Sequence, residues 1–219
     1  MKKFCLKEPG SAITHFIALL LALLFGIPLI IKSAEHPNKI HLISIIVYVL
    51  SMVLLYTAST TYHSLDISEK VNTHLKKFDH IMISILIAGT YTPICLIGLK
   101  GKVGIILLVI IWSFALLGVL IKIFWVNCPK WISSVLYIVM GWTCLISFPS
   151  ILSSFSTVAF AWLLSGGIIY TIGGVIYSLK LVNFDKKHKN FGTHEIFHLF
   201  IMGGSFCFTV VMYLLILSA

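Results

Sequence analysis

Long apolar stretches separated by short polar segments run through the whole sequence. Seven of these stretches are about 20 residues long or longer, the length that a helix needs to cross the hydrocarbon core of a bilayer. The segments between them carry charged and turn-forming residues and are too short for a separate soluble domain. The pattern predicts an all-α integral membrane protein with one seven-helix transmembrane domain over residues 1–219. The predicted helices cover about 12–31, 40–63, 79–99, 103–124, 131–151, 157–179 and 194–217.

The composition agrees with a chain that lies almost entirely in a bilayer. Hydrophobic residues make up 59% of the sequence and charged residues 11%, with a mean hydropathy of +1.05. The formal net charge is +9, and all 16 basic residues are lysines. These lysines fall between the apolar stretches, where they orient the helices and meet anionic headgroups. Because no arginine is present to read base edges, a nucleic-acid partner is not expected.

The lysines are distributed unequally between alternate separators, and this predicts the orientation. Twelve of the 16 lie in the amino-terminal segment and in the second, fourth and sixth loops, whereas four lie in the other loops. Positive loops stay on the cytoplasmic side of a membrane. We therefore predict a cytoplasmic amino terminus and an extracytoplasmic carboxyl terminus.

Ionisable residues at the ends of several apolar stretches are the candidate functional groups, because such residues are costly at membrane depth. In the predicted topology these stretch ends all lie on the cytoplasmic side. Residues far apart in sequence are therefore expected to meet in one layer there. The residues are His15 in the first helix, His63 in the second, Asp79 and His80 in the third, and His194, Glu195 and His198 in the seventh.

A three-histidine zinc site is the chemistry that this layer favours. His194 and His198 are four residues apart, so their rings share one helix face, and His63 supplies a third imidazole at the same depth. Three protein ligands leave a fourth position for water. Asp79 is placed to transfer a proton, and Ser59, one turn before His63, is placed to donate to a developing oxyanion.

Two other site chemistries fit parts of the same pattern. Residues 194–198 also spell H-E-x-x-H, in which Glu195 would be the general base of an intramembrane metalloprotease, but no His, Asp or Glu follows His198 as a third ligand. A bis-histidine haem site is conceivable from pairs among His15, His63, His80 and His198. That arrangement leaves the four-residue spacing of the last two histidines unexplained.

Several motifs together resemble the hemolysin III family of bacterial membrane proteins, which belongs with the progestin and adiponectin receptors. The resemblance extends from about residue 8 to the end of the chain. It implies a seven-helix protein of the bacterial plasma membrane with its amino terminus inside. The motifs are S-T-T-Y-H-S at 59–64, F-D-H at 78–80, A-G-T-Y-T-P at 88–93, L-Y at 136–137 with M-G-W at 140–142, Y-T-I-G at 170–173, and the histidine pair at 194 and 198.

The resemblance also implies a zinc site and a reaction class. In the wider family, zinc is held by three histidines that match His63, His194 and His198, and a serine and an aspartate match Ser59 and Asp79. The superfamily resembles alkaline ceramidases, which implies zinc-dependent hydrolysis of a lipid amide or ester.

Two further functions stay open. The family name implies haemolytic or cytolytic activity, so a membrane-lytic or pore-forming protein with a structural zinc is one alternative. A ligand-sensing, receptor-like protein is the other. The expected partner is a membrane lipid, no soluble protein partner is implied, and the sequence does not fix the oligomeric state.

The sequence departs from the family pattern at two positions. The first family motif is a Glu, two residues, an Asn, three residues and a His, and here it runs from Glu8 to His15 with Ser11 in place of the Asn. Glu195 stands where the family pattern has a small residue.

Overall fold

The chain folds into a bundle of long helices. The computed structural model describes residues 6–99, 101–179 and 191–218, and in these ranges seven helical segments are long and apolar enough to cross a membrane. The predicted all-helical, seven-span fold is confirmed. The helices are α1 (Pro9–Ala34), α2 (Lys39–Ser64), α3 (Glu69–Pro93), α4 (Gly101–Phe124), α5 (Lys130–Trp142), α6 (Phe148–Ser154), α7 (Thr157–Leu179) and α8 (Thr193–Leu217).

The third span starts ten residues before the predicted position. The Ser68 hydroxyl accepts a hydrogen bond from the Val71 amide and so caps α3 at its amino end. The polar turns that follow have no apolar periodicity, which is why the sequence pattern placed the start at Asp79. Asp79 consequently lies three turns inside the helix rather than at its first residue.

The fifth span is broken rather than continuous. The span predicted over 131–151 is present, but it consists of three segments, because α5 passes into a 3₁₀ turn (Thr143–Ser147) and then into the short helix α6. Pro149 lies in the first turn of α6. Proline has no amide hydrogen and its ring clashes with the preceding turn, so the α-helical ladder cannot run through this position.

The bundle presents apolar side chains outward and buries many small polar ones. Large apolar residues such as Leu24, Ile106 and Leu117 are exposed, as expected for a surface that meets lipid tails. Inside, backbones approach closely at glycines, and a β-carbon at Gly204 would collide with the ring of Tyr170. Such close packing of small residues is typical of helix contacts in membranes.

One end of the bundle brings together the helix ends that carry the candidate residues. α1 packs against α2 and against α8, and α2 packs against α3. The Glu8 amide donates to the His63 carbonyl at 2.9 Å, which joins the start of α1 to the end of α2. We call this end, where α1, α3 and α8 begin and α2 ends, the site end.

The orientation of the site end in the membrane stays a prediction from the lysine distribution. Six of the twelve lysines that support it lie outside the described residues: Lys2, Lys3, Lys180, Lys186, Lys187 and Lys189. Lys100, one of the four on the opposite side, also lies outside them.

Candidate metal centre

Three histidine side chains converge at the site end. His63 comes from the last turn of α2, and His194 and His198 come from the first turns of α8. The Nε2 atoms of His63 and His194 are 3.2 Å apart, and one ring nitrogen from each of the three histidines lies within 4.8 Å of the others. His63 and His198 are almost completely buried. The structure thus brings together the three residues that the sequence analysis selected as ligands, and the cluster could hold a metal ion.

The geometry of the cluster is compatible with zinc. Nitrogen ligands about 2.0–2.1 Å from a tetrahedral zinc lie about 3.3–3.4 Å from one another. The observed separation of 3.2 Å between His63 and His194 is close to that spacing. Three imidazoles, with the fourth coordination position left for water, are also the ligand set of many catalytic zinc sites.

Two residues of α1 and its amino-terminal flank orient the imidazoles. The Nδ1 atom of His63 donates to the Glu8 carboxylate, and the Nδ1 atom of His198 donates to the Thr14 hydroxyl at 3.1 Å. Each bond holds the proton on Nδ1 and leaves the Nε2 lone pair for a metal. The bond from His63 also lowers the pKa of the Glu8 carboxyl below its usual value, so Glu8 remains ionised. Thr14 is not among the residues predicted for the site, because nothing in the sequence distinguishes it from other threonines in apolar helices.

We expect replacement of Glu8 by Ala to weaken zinc binding about 10- to 100-fold, the usual cost of losing a carboxylate that orients a metal-bound histidine. Competition with a chromophoric chelator measures the affinity. Glu35→Ala is the matched control, because Glu35 is paired with Lys32 at the end of α1, far from the cluster. Equal affinities of the Glu8 and Glu35 variants would contradict an orienting role for Glu8.

Ser11 and Glu195, the two departures from the family pattern, are in contact with each other. The Ser11 hydroxyl donates to one carboxylate oxygen of Glu195 at 2.5 Å, and the Gly192 amide donates to the other at 2.8 Å. Glu195 therefore caps the start of α8 and ties it to α1. With both oxygens engaged in this way, the carboxylate is poorly placed to act as the general base of an H-E-x-x-H protease.

Asp79 and Ser59 lie next to each other beside the histidines. Both are buried, and both line a cavity to which His194 and His198 also contribute. The Ser59 hydroxyl interacts with the Asp79 carboxylate, but it makes no hydrogen bond of standard geometry to the described residues. A buried hydroxyl of this kind in a cavity wall can donate to a bound molecule.

His15 packs directly on one of the candidate ligands. Its ring stacks on that of His198 with centroids 3.5 Å apart and planes 10° apart. Two rings in van der Waals contact cannot ligate opposite faces of a haem, so this pair does not form the haem site considered from the sequence. Neither ring nitrogen of His15 has a partner among the described residues.

The cavity continues from the histidines into the apolar middle of the bundle. Its volume is about 150 Å³, and beyond the polar end its walls are almost entirely apolar. On the far side it is lined by Leu145, Phe148 and Leu164, which belong to the fifth span and α7 and are exposed on the bundle surface. The cavity therefore extends from the histidine cluster to the lipid-facing surface between these two spans.

The sequence matches the family model described as Haemolysin-III related over residues 4–209. The chain belongs to the haemolysin III family. It is similar to the Hemolysin-3 homolog of Bacillus subtilis (strain 168), with 39% identity over 203 residues that cover 92% of this chain and 91% of the relative. It is also similar to Hemolysin-3 of Bacillus cereus, with 37% identity over 217 residues that cover 98% of this chain and 95% of the relative.

Membership of the haemolysin III family confirms the resemblance drawn from the sequence motifs. Together with the seven apolar helices it makes the chain a multi-pass membrane protein, and a bacterial plasma membrane fits both relatives. The three-histidine cluster does not depend on the family for its prediction, because it follows from the four-residue spacing of His194 and His198 and from the matching depth of His63 in the membrane.

Proposed function

We propose that this haemolysin III family member is a zinc-dependent hydrolase that cleaves an amide or ester bond of a membrane lipid. The observation that carries the proposal is the position of the histidine cluster. Three imidazoles, those of His63 and His198 buried and that of His194 half-buried, converge at the polar end of a cavity that is otherwise apolar. An amphiphile bound there would have its chain in the apolar part and its polar linkage beside the histidines.

The side chains around the cluster match the needs of acyl transfer to water. Zinc, when bound, supplies Lewis acidity and lowers the pKa of a coordinated water to about 7. The Asp79 carboxylate is placed to accept a proton from the attacking water and return it to the leaving group. The Ser59 hydroxyl, which lies beside Asp79 and makes no hydrogen bond of standard geometry to the described residues, is placed to donate to the carbonyl oxygen as negative charge develops on it.

The route of the lipid follows from the cavity. Its apolar walls reach the bundle surface between the fifth span and α7, so a lipid chain can enter sideways from the bilayer. If the lysine distribution sets the orientation, the site end faces the cytoplasm. The substrate would then come from the inner leaflet, with its headgroup towards the cytoplasm.

Membrane lysis is the second candidate, because both relatives carry the name hemolysin. In that case zinc would be structural, and the role of the cluster would be to hold α8 against α2. Lysis predicts leakage of a membrane without any change in its lipids, which separates the two candidates.

The test uses purified, zinc-loaded protein in vesicles of zwitterionic lipid that contain a fluorescent dye and a panel of fatty amides and esters. We expect release of free fatty acid, detected by mass spectrometry, from at least one class. The release should stop after treatment with a chelator and return with added zinc. If no fatty acid is released while dye leaks with or without the chelator, the protein is a lytic protein and the hydrolase proposal is wrong.

A further inference from the structure

A buried lysine lies close to the histidine cluster. Lys122, which the lysine count assigns to the fourth separator, lies in the last turn of α4, within the helix predicted over 103–124, and is 4% exposed. Its ammonium group donates to the Cys128 sulfur at 3.1 Å and to the Ser133 hydroxyl at 2.5 Å. These two neighbours come from the segment after α4 and from α5, so three parts of the chain enclose one cation.

Lys122 has no carboxylate partner among the described residues. The ion pairs in that part of the chain are Lys32 with Glu35 and His63 with Glu8. An ammonium has three N–H donors, and only two of those of Lys122 have partners in the described structure. Burying a cation without an opposite charge is costly. The position is therefore suited to an anion that the protein binds.

Lys122 lies in the wall of a recess at the site end that adjoins the metal centre. This recess, which we call the mouth, has a volume of about 500 Å³ and is lined by Lys122 and by the candidate ligands His63 and His194. His80 and Tyr177 line both the mouth and the apolar cavity. The histidine cluster thus lies between an apolar compartment on one side and a polar compartment on the other.

Positive charge predominates in the mouth. Lys76 and Lys130 line it together with Lys122. Two carboxylates, Glu8 and Glu195, are also present, but Glu8 accepts from His63, and Glu195 accepts from Ser11 and Gly192. Because these acidic groups already have donors, they do not neutralise the ammonium group of Lys122.

We propose that the mouth binds an anionic headgroup, a carboxylate or a phosphate, through Lys122, and that the natural ligand is an acyl compound with this anion close to its amide or ester linkage. The inference rests on the proposed function for the position of that linkage at the histidine cluster. The chain of such a ligand occupies the apolar cavity, its linkage lies at the histidines, and its anion reaches Lys122. A charge-assisted hydrogen bond in a buried site supplies the selectivity for charged over neutral heads.

The test compares two ligands that differ only in the charge of the head, N-dodecanoylglycine and N-dodecanoylglycinamide. The full-length, zinc-loaded protein is placed in nanodiscs of zwitterionic lipid, and each compound competes with a fluorescent neutral fatty amide. We expect the unmodified protein to prefer the carboxylate by about 10-fold or more. Lys122→Met should reduce this preference to less than about 3-fold, and Lys122→Arg, which keeps the charge, should retain most of it.

Two controls make the result specific. Lys70→Met removes one positive charge from an exposed position at the start of α3 that does not line the mouth, and it should leave the preference unchanged. Lys122→Gln replaces the Met variant if the latter does not fold. Equal affinity of the unmodified protein for the two compounds overturns the proposal without any variant, and so does a preference that survives in Lys122→Met or Lys122→Gln.

Further measurements separate this proposal from two alternatives, a site for a small free anion and a hydrolase without an anion site. Glycine and inorganic phosphate, which have no acyl chain, should not displace N-dodecanoylglycine at comparable concentrations. If they do displace it, the site binds a small free anion and the proposed acyl ligand is wrong. Mass spectrometry shows whether the bound ligand stays intact. A preference for the carboxylate with no cleavage of any compound supports the anion site and counts against the hydrolase. Cleavage of both compounds at equal efficiency supports the hydrolase and overturns the anion site.

Discussion

Purified protein is expected to contain about one zinc per chain, and replacement of His63 by Ala is expected to remove nearly all of it. Two histidines from one helix end do not complete a site, because zinc in proteins takes three or four protein ligands. His63 is the one candidate ligand that α2 contributes, and its Nε2 atom is 3.2 Å from that of His194. Its loss leaves a pair of ligands that binds far more weakly. His194→Ala and His198→Ala should behave in the same way.

Elemental analysis of detergent-purified protein after size-exclusion chromatography measures the zinc content. His74→Ala is the matched control, because His74 lies exposed on α3 and its ring donates to a backbone carbonyl of its own helix. This variant should keep its zinc. Zinc that persists in His63→Ala, or that is lost equally in His74→Ala, would show that the three-histidine cluster is not the metal site.

Much of this arrangement could be predicted from the sequence because membrane-spanning helices leave few degrees of freedom. The apolar stretches predicted the seven spans, and consecutive spans run in opposite directions across the bilayer. The end of the second span and the start of the last must therefore share one side of the bilayer. His63 and His198 could be assigned to one layer from that constraint alone, and the structure places them together.

Other features depend on tertiary contacts that no local pattern reports. Lys122 looks like an ordinary lysine at the end of an apolar helix, and only the fold around it shows that it is enclosed by Cys128 and Ser133. Thr14 gains its role because α1 packs beside α8 and brings its hydroxyl to His198. In both cases the role depends on the partner. His198 is distant from Thr14 in sequence, and Cys128 and Ser133 follow Lys122 only after the chain has left α4 and turned.

Ser11 and Glu195, the two departures from the family pattern, are joined by a single contact. Taken singly, a Ser for an Asn and a Glu for a small residue each looked like a loss of a family feature. In the structure the hydroxyl and the carboxylate are joined at 2.5 Å across α1 and α8. The sequence named both positions, but their proximity became visible only in the folded bundle.

Replacement of Asp79 by Asn is expected to lower kcat/KM for lipid hydrolysis by about 10²- to 10⁴-fold, the usual contribution of a general acid–base group. Zinc content should not change, because the three histidine ligands remain. The amide of Asn nearly matches the carboxylate in size but cannot accept the proton. Asp66→Asn is the control and should keep its activity. The Asp66 carboxylate is exposed, lies outside the cavity and accepts a hydrogen bond from the Asn72 side chain.

The same assay distinguishes the rival site chemistries. A protease of the H-E-x-x-H class requires the carboxylate of Glu195, so Glu195→Gln would abolish its activity and Asp79→Asn would matter less. A lytic protein with a structural zinc would keep its dye leakage in Asp79→Asn. Our proposal predicts the reverse ranking, because Asp79 lines the cavity beside Ser59 whereas the oxygens of Glu195 are engaged by Ser11 and Gly192. Full hydrolytic activity in Asp79→Asn would remove Asp79 from the mechanism and leave the proton transfer without its proposed residue.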